Sequence, residues 1–285
     1  MLNFNFIFAK YVSPCAICKD SSRGGMEIIQ IIIVALLPVV FLFNYINKKD
    51  SGRPEPVGML VKAFFYGVLS IAVALALSYL LSALGFYVDE PETVYDAVRL
   101  SFFGAAVPEE IAKFIMLWLL LRKSLHFDER LDGIVYATCV SLGFAAVENI
   151  LYLINNGDDW LSVGITRALF AVPGHFFDGV LMGYYFSKVK FVPSHTTKDW
   201  IMVLMAPVLA HGIYDSILFS ISVLPMASLF LLPAFVYFCN KLRIVAGKKI
   251  LRHLAADNVN FAKSVVNDNF VLQENDGEYN RNERE

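Results

Sequence analysis

Charged residues lie within apolar stretches of this sequence that otherwise have the character of membrane-spanning helices. The clearest case is PEEIAK at 108–113, where Glu109, Glu110 and Lys113 are flanked by aromatic and aliphatic residues. A charged residue at the centre of a membrane helix costs about 2.5–3.5 kcal/mol on insertion scales. Two glutamates and a lysine together therefore indicate chemistry rather than a simple membrane anchor.

The remaining polar residues within apolar stretches are few. They are Glu148, Asn149, Arg167, His175, Asp178, His211 and Asp215. His211 and Asp215 are four residues apart on one helix face, so the carboxylate can orient the imidazole and select its tautomer. Arg167 and Asp178 are interpreted as ordinary partners between helices or at the membrane interface.

These residue types favour activated water over a covalent nucleophile, because glutamate and histidine occur without a serine or cysteine motif. Glu109, Glu110 and Glu148 outnumber Lys113, which lies three or four residues from the first two and can neutralise one of them. Excess carboxylate in a low dielectric is typical of a general base. A histidine or the N–H groups of Asn149 would stabilise the oxyanion.

Metal assistance is the alternative to glutamate-activated water. His175 and His211 with one glutamate could bind Zn²⁺. The sequence has no H-E-x-x-H motif, and two histidines on separate helices are a weaker metal signal. Cys15 and Cys18 form one CxxC without the second ligand pair that a zinc site needs. We therefore expect no cofactor and keep Zn²⁺ as the alternative.

The composition is typical of a membrane protein, with 57% hydrophobic and 18% charged residues and a net charge of −2. No basic patch suggests a nucleic-acid partner. Apolar segments of about 20 residues or more predict an all-α polytopic membrane bundle of about seven transmembrane helices. We place them at 27–46, 58–84, 97–121, 132–155, 160–187, 200–220 and 223–242. Internal prolines in the third and fifth predict broken helices at the site.

Loop charges predict the orientation of the bundle. Lys and Arg accumulate in alternate loops, whereas the loop 85–96 has neither and is acidic. By the positive-inside rule, the N-terminus lies outside and the C-terminus in the cytoplasm, which places the chain in the cytoplasmic membrane. At 1.5 Å per residue, the glutamates and histidines lie roughly 9–15 Å from the outer helix ends. Similar depth on four helices predicts a shared polar cavity that opens outward.

The chain divides into three regions. Residues 1–26 are interpreted as an N-terminal extension, and one hypothesis is that native translation starts at Met26. Residues 27–243 form the membrane-embedded domain that carries the polar residues. Residues 244–285 are predicted to be a polar cytoplasmic tail that is largely disordered, since few apolar residues are available for a core.

Four ordered motifs resemble the PrsW family of intramembrane proteases, which is grouped with the CAAX prenyl endopeptidases and their bacterial relatives. They are EExxK at 109–113, FxxxEN at 144–149, the R…PGH stretch at 167–175 and HGxxD at 211–215. The resemblance covers about residues 27–243. It implies a membrane endopeptidase that belongs to either the glutamic or the metallo type, of which we favour the glutamic.

The resemblance also implies roles and a substrate. Glu109 and Glu110 would activate water, with Glu148, His175 and His211 completing the site. The typical substrate is a single-pass anti-sigma factor in the bilayer, cut near its extracytoplasmic side to start a stress response. The alternatives are a proton-coupled transporter, since carboxylates and histidines at mid-depth also relay protons, and a non-catalytic membrane scaffold. Inverted repeats would favour a transporter, and we find none in the sequence.

Overall fold

The computed structural model describes residues 25–50 and 52–282, and within these ranges the chain is helical and contains no strand. Nine α-helices follow one another in these described ranges, and we number them α1 to α9. Their bounds are α1 Gly25–Lys49, α2 Val57–Ala83, α3 Val94–Arg99, α4 Val107–Leu121, α5 Arg130–Asn155, α6 Trp160–Thr166, α7 Val172–Phe191, α8 Thr197–Val223 and α9 Ser228–Asn282. Cys15, Cys18 and most of the predicted N-terminal extension lie outside the described residues.

Five of these helices are long and apolar enough to cross a membrane: α1, α2, α5, α8 and the first part of α9. The other two predicted spans are composite. Each consists of a short helix, a π-helical stretch and a second helix, with the π-helical stretches at Leu100–Ala106 and Arg167–Ala171. The all-α membrane bundle predicted from the sequence is thus confirmed.

The π-helical stretches are the form that the predicted broken helices take. Each ends two positions before a proline, which is Pro108 in the first case and Pro173 in the second. A proline ring clashes with the carbonyl four residues earlier, here within the π-helical stretch, and a wider turn relieves that clash. The helical conformation therefore continues through each interruption, and the helix that follows carries candidate site residues in its first turns.

Helix α5 forms the centre of the bundle and is buried over most of its length. Small residues let its neighbours approach closely. A Cβ atom on Gly67 of α2 would lie 1.9 Å from the carbonyl oxygen of Val140, and one on Gly183 of α7 would lie 2.2 Å from that of Gly133. Because glycine alone fits at such contacts, these positions fix α2 and α7 against α5.

Helix α9 extends beyond the point at which we predicted a disordered tail, and the structure continues it to Asn282. No proline follows Pro233 to interrupt it. The part after residue 243 is also anchored on the bundle, because Asp257 accepts hydrogen bonds from the backbone N–H groups of Arg130 and Leu131 at 3.2 and 2.9 Å. The sequence did not reveal this cap, because it joins residues more than 120 positions apart.

Candidate functional site

The predicted site residues converge in the interior of the bundle. Helix α4 contributes two glutamates and a lysine, α5 a glutamate and an asparagine, the second composite span an arginine, a histidine and an aspartate, and α8 a histidine and an aspartate. These residues are Glu109, Glu110, Lys113, Glu148, Asn149, Arg167, His175, Asp178, His211 and Asp215. All except Arg167 and Asp215 are buried. The juxtaposition of residues from different helices agrees with the shared polar site that similar depths predicted.

Lys113 lies at the centre of the site and is fully buried. Its Nζ donates to Glu110 Oε1 at 2.7 Å and lies 3.8 Å from Glu109 Oε2. It also lies 3.1 Å from His175 Nδ1. Because an ammonium group can only donate, His175 accepts at Nδ1 and carries its proton on Nε2. The predicted pairing of lysine with a glutamate is therefore present, and the lysine additionally fixes a histidine tautomer.

His175 Nε2 lies 2.8 Å from Glu148 Oε2, so its N–H donates to that carboxylate. The same oxygen accepts from Arg167 Nη2 at 2.7 Å. Arg167 also donates through Nε to Asn149 Oδ1, and Asn149 Nδ2 donates to the backbone carbonyl of Ala35 on α1. Asn149 therefore supports Arg167 and α1, and it is not among the residues that line the cavity described below.

His211 lies between carboxylates on both sides of its ring. Its Nδ1 is 2.9 Å from Glu110 Oε1, and its Nε2 is 3.3 Å from Asp215 Oδ2 and 3.8 Å from Glu109 Oε2. The rings of His175 and His211 are in edge-to-face contact, with centroids 5.3 Å apart. The predicted contact between His211 and Asp215 is thus present, and the contact between His211 and Glu110 is shorter than it.

Asp178 also lies in the site, although the sequence predicts it to be an ordinary partner between helices. It is buried beside the two histidines, and its Oδ1 has no hydrogen-bond partner among the described residues. The sequence contains a signal for this position, since Asp178 follows His175 by three residues and therefore lies on the same helix face. It was interpreted as an ordinary interhelical partner because one sequence does not show which face of α7 meets α8.

A cavity of about 180 Å³ adjoins the site between α5, α7, α8 and α9. The charged and imidazole side chains that line it are Glu148, Arg167, His175, Asp178, His211 and Asp215. Glu110 does not line the cavity and is fully buried behind His211. His211, which does line the cavity, connects it to Glu110 through the 2.9 Å contact at Nδ1.

The residues present fit a metal ion by their donor types. Glu110, His175, Asp178 and His211 each offer one ligand atom, and these atoms lie within 4.8 Å of one another. Two imidazoles with carboxylates are common ligands of Zn²⁺. Glu110 Oε2 and Asp178 Oδ1 also lack hydrogen-bond partners among the described residues, as free ligand atoms would. Three of these four residues, His175, His211 and a glutamate, match the zinc ligands that the sequence suggested, and Asp178 is a fourth.

Comparison with known proteins bears directly on this site. A family model described as "PrsW family intramembrane metalloprotease" matches residues 55–239, which include every site residue named above. "Protease PrsW" of Bacillus subtilis is 38% identical over 194 residues, covering 67% of this chain and 84% of the relative. "Protease PrsW" of Oceanobacillus iheyensis is 35% identical over 191 residues, covering 67% and 83%. No solved structure matches.

A buried set of acids and histidines inside a helical membrane bundle, in a chain with these relatives, defines an intramembrane protease. The family model covers more than half of the chain, and the relatives are matched over most of their length. The chain belongs to the PrsW family of intramembrane metalloproteases. The resemblance noted from the four motifs is thereby confirmed.

Proposed function

We propose that this chain hydrolyses a peptide bond of a single-pass membrane protein by means of water activated by its buried glutamates. The observation that carries the proposal is the contact of Glu110 with His211 Nδ1 at 2.9 Å, because His211 also lines the cavity. A carboxylate behind an imidazole that faces a cavity is an arrangement that activates a nucleophile in other hydrolases. This arrangement can activate water directly, so it needs no serine or cysteine nucleophile, and the sequence shows no motif for one.

In this proposal, His211 transfers the proton between water and Glu110. Water in the cavity gives a proton to His211 Nε2 while the proton on Nδ1 moves toward Glu110 Oε1. The oxygen of that water forms the new bond to the scissile carbonyl carbon, and the proton returns to the leaving amine when the peptide C–N bond breaks. The Asp215 carboxylate, 3.3 Å from Nε2, accepts the second hydrogen of that water and so orients it toward His211.

His175 serves as the hydrogen-bond donor to the oxyanion. Its Nε2–H points to Glu148, which Arg167 already neutralises at 2.7 Å. The N–H can therefore shift from this carboxylate to the negative oxygen that develops on the substrate. Lys113 holds the required tautomer through Nδ1, which is a positioning role.

If Zn²⁺ is bound, Glu110, His175, Asp178 and His211 would hold it, and it would supply Lewis acidity to the scissile carbonyl. The carboxylates of Glu148 and Asp215 would then orient the two imidazoles from outside the ligand set, as carboxylates commonly do for metal-binding histidines. Lys113 would compete with a cation for Glu110, since its ammonium already lies 2.7 Å from Oε1. This competition is the reason that we favour the glutamic reaction.

We further propose the cytoplasmic membrane as the location, with the N-terminus outside and the C-terminus in the cytoplasm. The alternation of Lys and Arg between loops supports this orientation. It puts the site in the outer half of the bilayer, so the cut would fall near the extracytoplasmic side of the substrate. An anti-sigma factor with one membrane span is the substrate type that the family resemblance suggests, and its cleavage would start a stress response.

The test is cleavage of single-pass membrane substrates that are co-reconstituted with the protein in liposomes. The wild type and the Glu109→Ala/Glu110→Ala variant are compared, each with and without a zinc chelator, and mass spectrometry locates the cut. We expect cleavage by the wild type alone, near the extracytoplasmic end of the substrate span, whether or not chelator is present. Loss with chelator and recovery with Zn²⁺ would assign His175 and His211 to a metal, and intact substrates throughout a panel would contradict the proposed function.

A further inference from the structure

The cavity beside the site has two walls of different character. One wall carries the histidines and carboxylates described above. The apolar side chains of the lining, which we call the apolar wall, are Ala171, Ala210, Leu218, Phe219 and Leu242. The remaining lining residues are Tyr152, Thr166, Arg167, Gly174 and Tyr214. A cavity that is polar where the chemistry occurs and apolar elsewhere is typical of a site that orients part of a larger substrate.

The volume of the cavity limits what can enter it. A cavity of about 150 Å³ with an apolar lining holds one benzene molecule. The present cavity, of about 180 Å³, therefore has room for one side chain of leucine or phenylalanine size, with little left for a second group. An indole ring is larger than benzene, and it would exceed this space once the scissile bond lies against the histidines.

Gly174 keeps this space open. A Cβ atom placed on Gly174 would meet only Tyr214 Cε2, at 3.9 Å, which is an ordinary contact. Two other glycines of α7 differ, since a Cβ on Gly179 or Gly183 would lie under 3.0 Å from the backbone of α5. Gly174 is thus not needed for helix packing, and it borders the cavity directly before His175.

The apolar wall is held in place by packing from α9. Tyr214 packs against Phe235, with ring centroids 4.9 Å apart, and Phe235 also packs against Phe170 at 5.3 Å. Leu242 is buried within a cluster that joins α7, α8 and α9. Because these contacts fix the wall, the size of the cavity can act as a filter on the substrate.

We propose that this cavity receives the side chain of the substrate residue that flanks the scissile bond and selects an apolar side chain of leucine to phenylalanine size. This inference rests on the proposed function. An aspartate side chain would meet the carboxylates of Asp178 and Asp215, and an alanine would leave the apolar wall unfilled. The cavity thereby defines a substrate class by chemistry, namely membrane segments with a medium apolar residue at the cut.

The experiment measures kcat/KM in liposomes for one substrate whose residue at the cut is alanine, leucine, phenylalanine, tryptophan or aspartate. For the wild type we expect leucine and phenylalanine to exceed alanine, tryptophan and aspartate by about tenfold or more, since one methylene in an apolar pocket is worth about 10–200-fold. Gly174→Leu should reverse the preference toward alanine while the alanine substrate is still cleaved. Leu218→Ala, which enlarges the pocket, should admit tryptophan.

The control is Leu209→Ala, which removes an exposed leucine from α8 outside the cavity and should keep the wild-type preference. A wild type that cleaves all five substrates equally would overturn the pocket while leaving the proposed function intact. The pocket would also be overturned if Gly174→Leu lowered kcat/KM equally for all five substrates and Leu218→Ala kept the wild-type order of preference. A wild type that cleaves none of the five would instead count against the proposed function.

Discussion

At the scale of single residues, the site depends on histidines whose two ring nitrogens are both engaged. His175 accepts from Lys113 and donates to Glu148, so its tautomer is fixed before substrate arrives. We expect His175→Ala to lower the rate of peptide hydrolysis by about 10²–10⁴-fold, the usual contribution of a positioned proton donor or acceptor. Cleavage in liposomes checks this, with His195→Ala as the control, since His195 is exposed in a loop. A full rate in His175→Ala would remove this residue from the mechanism.

The lysine in the site has a structural effect that can be separated from catalysis. Lys113→Met leaves the fully buried Glu110 without its ammonium partner, and breaking a buried pair costs about 3–5 kcal/mol. Adding Glu110→Gln to Lys113→Met should recover part of this loss, because the uncompensated charge is then removed. Thermal unfolding in detergent of both single variants and the double variant measures the coupling. Additive losses would show that Lys113 does not stabilise through Glu110.

Residue types in the sequence predicted which residues form much of the site. The role of each side chain depends on its hydrogen-bond partners, which the sequence does not show. The glutamates and histidines were identified because charged groups within apolar segments are expensive. The sequence suggests a histidine or Asn149 as the oxyanion donor, and it gives no sign that the Asn149 amide joins Arg167 to the carbonyl of Ala35. A backbone carbonyl on another helix leaves no trace in a single sequence, so this contact could not be predicted.

At the scale of helices, the site is set by close packing around α5. Gly67→Ala would place a Cβ 1.9 Å from the carbonyl oxygen of Val140, so α2 must move away from α5. Overpacking of this kind costs about 1–3 kcal/mol or more. We expect a lower melting temperature in detergent together with reduced cleavage. Gly58→Ala is the matched control in the same helix, since nothing lies within 4 Å of its Cβ position, and equal effects of the two would contradict the packing argument.

Helix positions were predictable to within a few residues wherever the apolar run was long. The prediction of 58–84 compares with Val57–Ala83, and that of 132–155 with Arg130–Asn155. The π-helical form of the interruptions was not predictable, because proline signals a break but not how the preceding turns adjust. This form matters for the site, since a chain that continues through a widened turn keeps Glu110 facing the neighbouring helices.

At the scale of the whole molecule, the two ends of the bundle differ in character. The rise from Arg130 to Glu148 along α5 is about 27 Å. Acidic residues collect at the end where α5 begins, and Asp257 of α9 caps α5 there. Asp50 lies at this end, buried, and accepts a hydrogen bond from the backbone N–H of Glu55 at 3.3 Å. This end is separate from the catalytic residues and can be perturbed independently.

Burial, reinforced by the charge of Glu55, raises the pKa of Asp50 from 3.8 to about 7. Between these values the folded state binds more protons than the unfolded state, so this group lowers stability as pH rises from about 4 to about 7. We expect Asp50→Asn to raise the melting temperature at pH 8 and to change it little at pH 4. Asp158→Asn, at an exposed position, is the control. A gain of the same size at both pH values would exclude titration of Asp50 as the cause.

The central claim is that Glu110, acting through His211, makes this membrane bundle a peptide hydrolase. The most direct measurement is the initial rate of cleavage of a single-pass substrate in liposomes by the wild type, Glu110→Gln and Glu92→Gln, the last being an exposed glutamate in a loop. The account predicts a fall of about 10²–10⁴-fold in the rate per folded protein in Glu110→Gln and an unchanged rate in Glu92→Gln. Equal rates in all three proteins would contradict it.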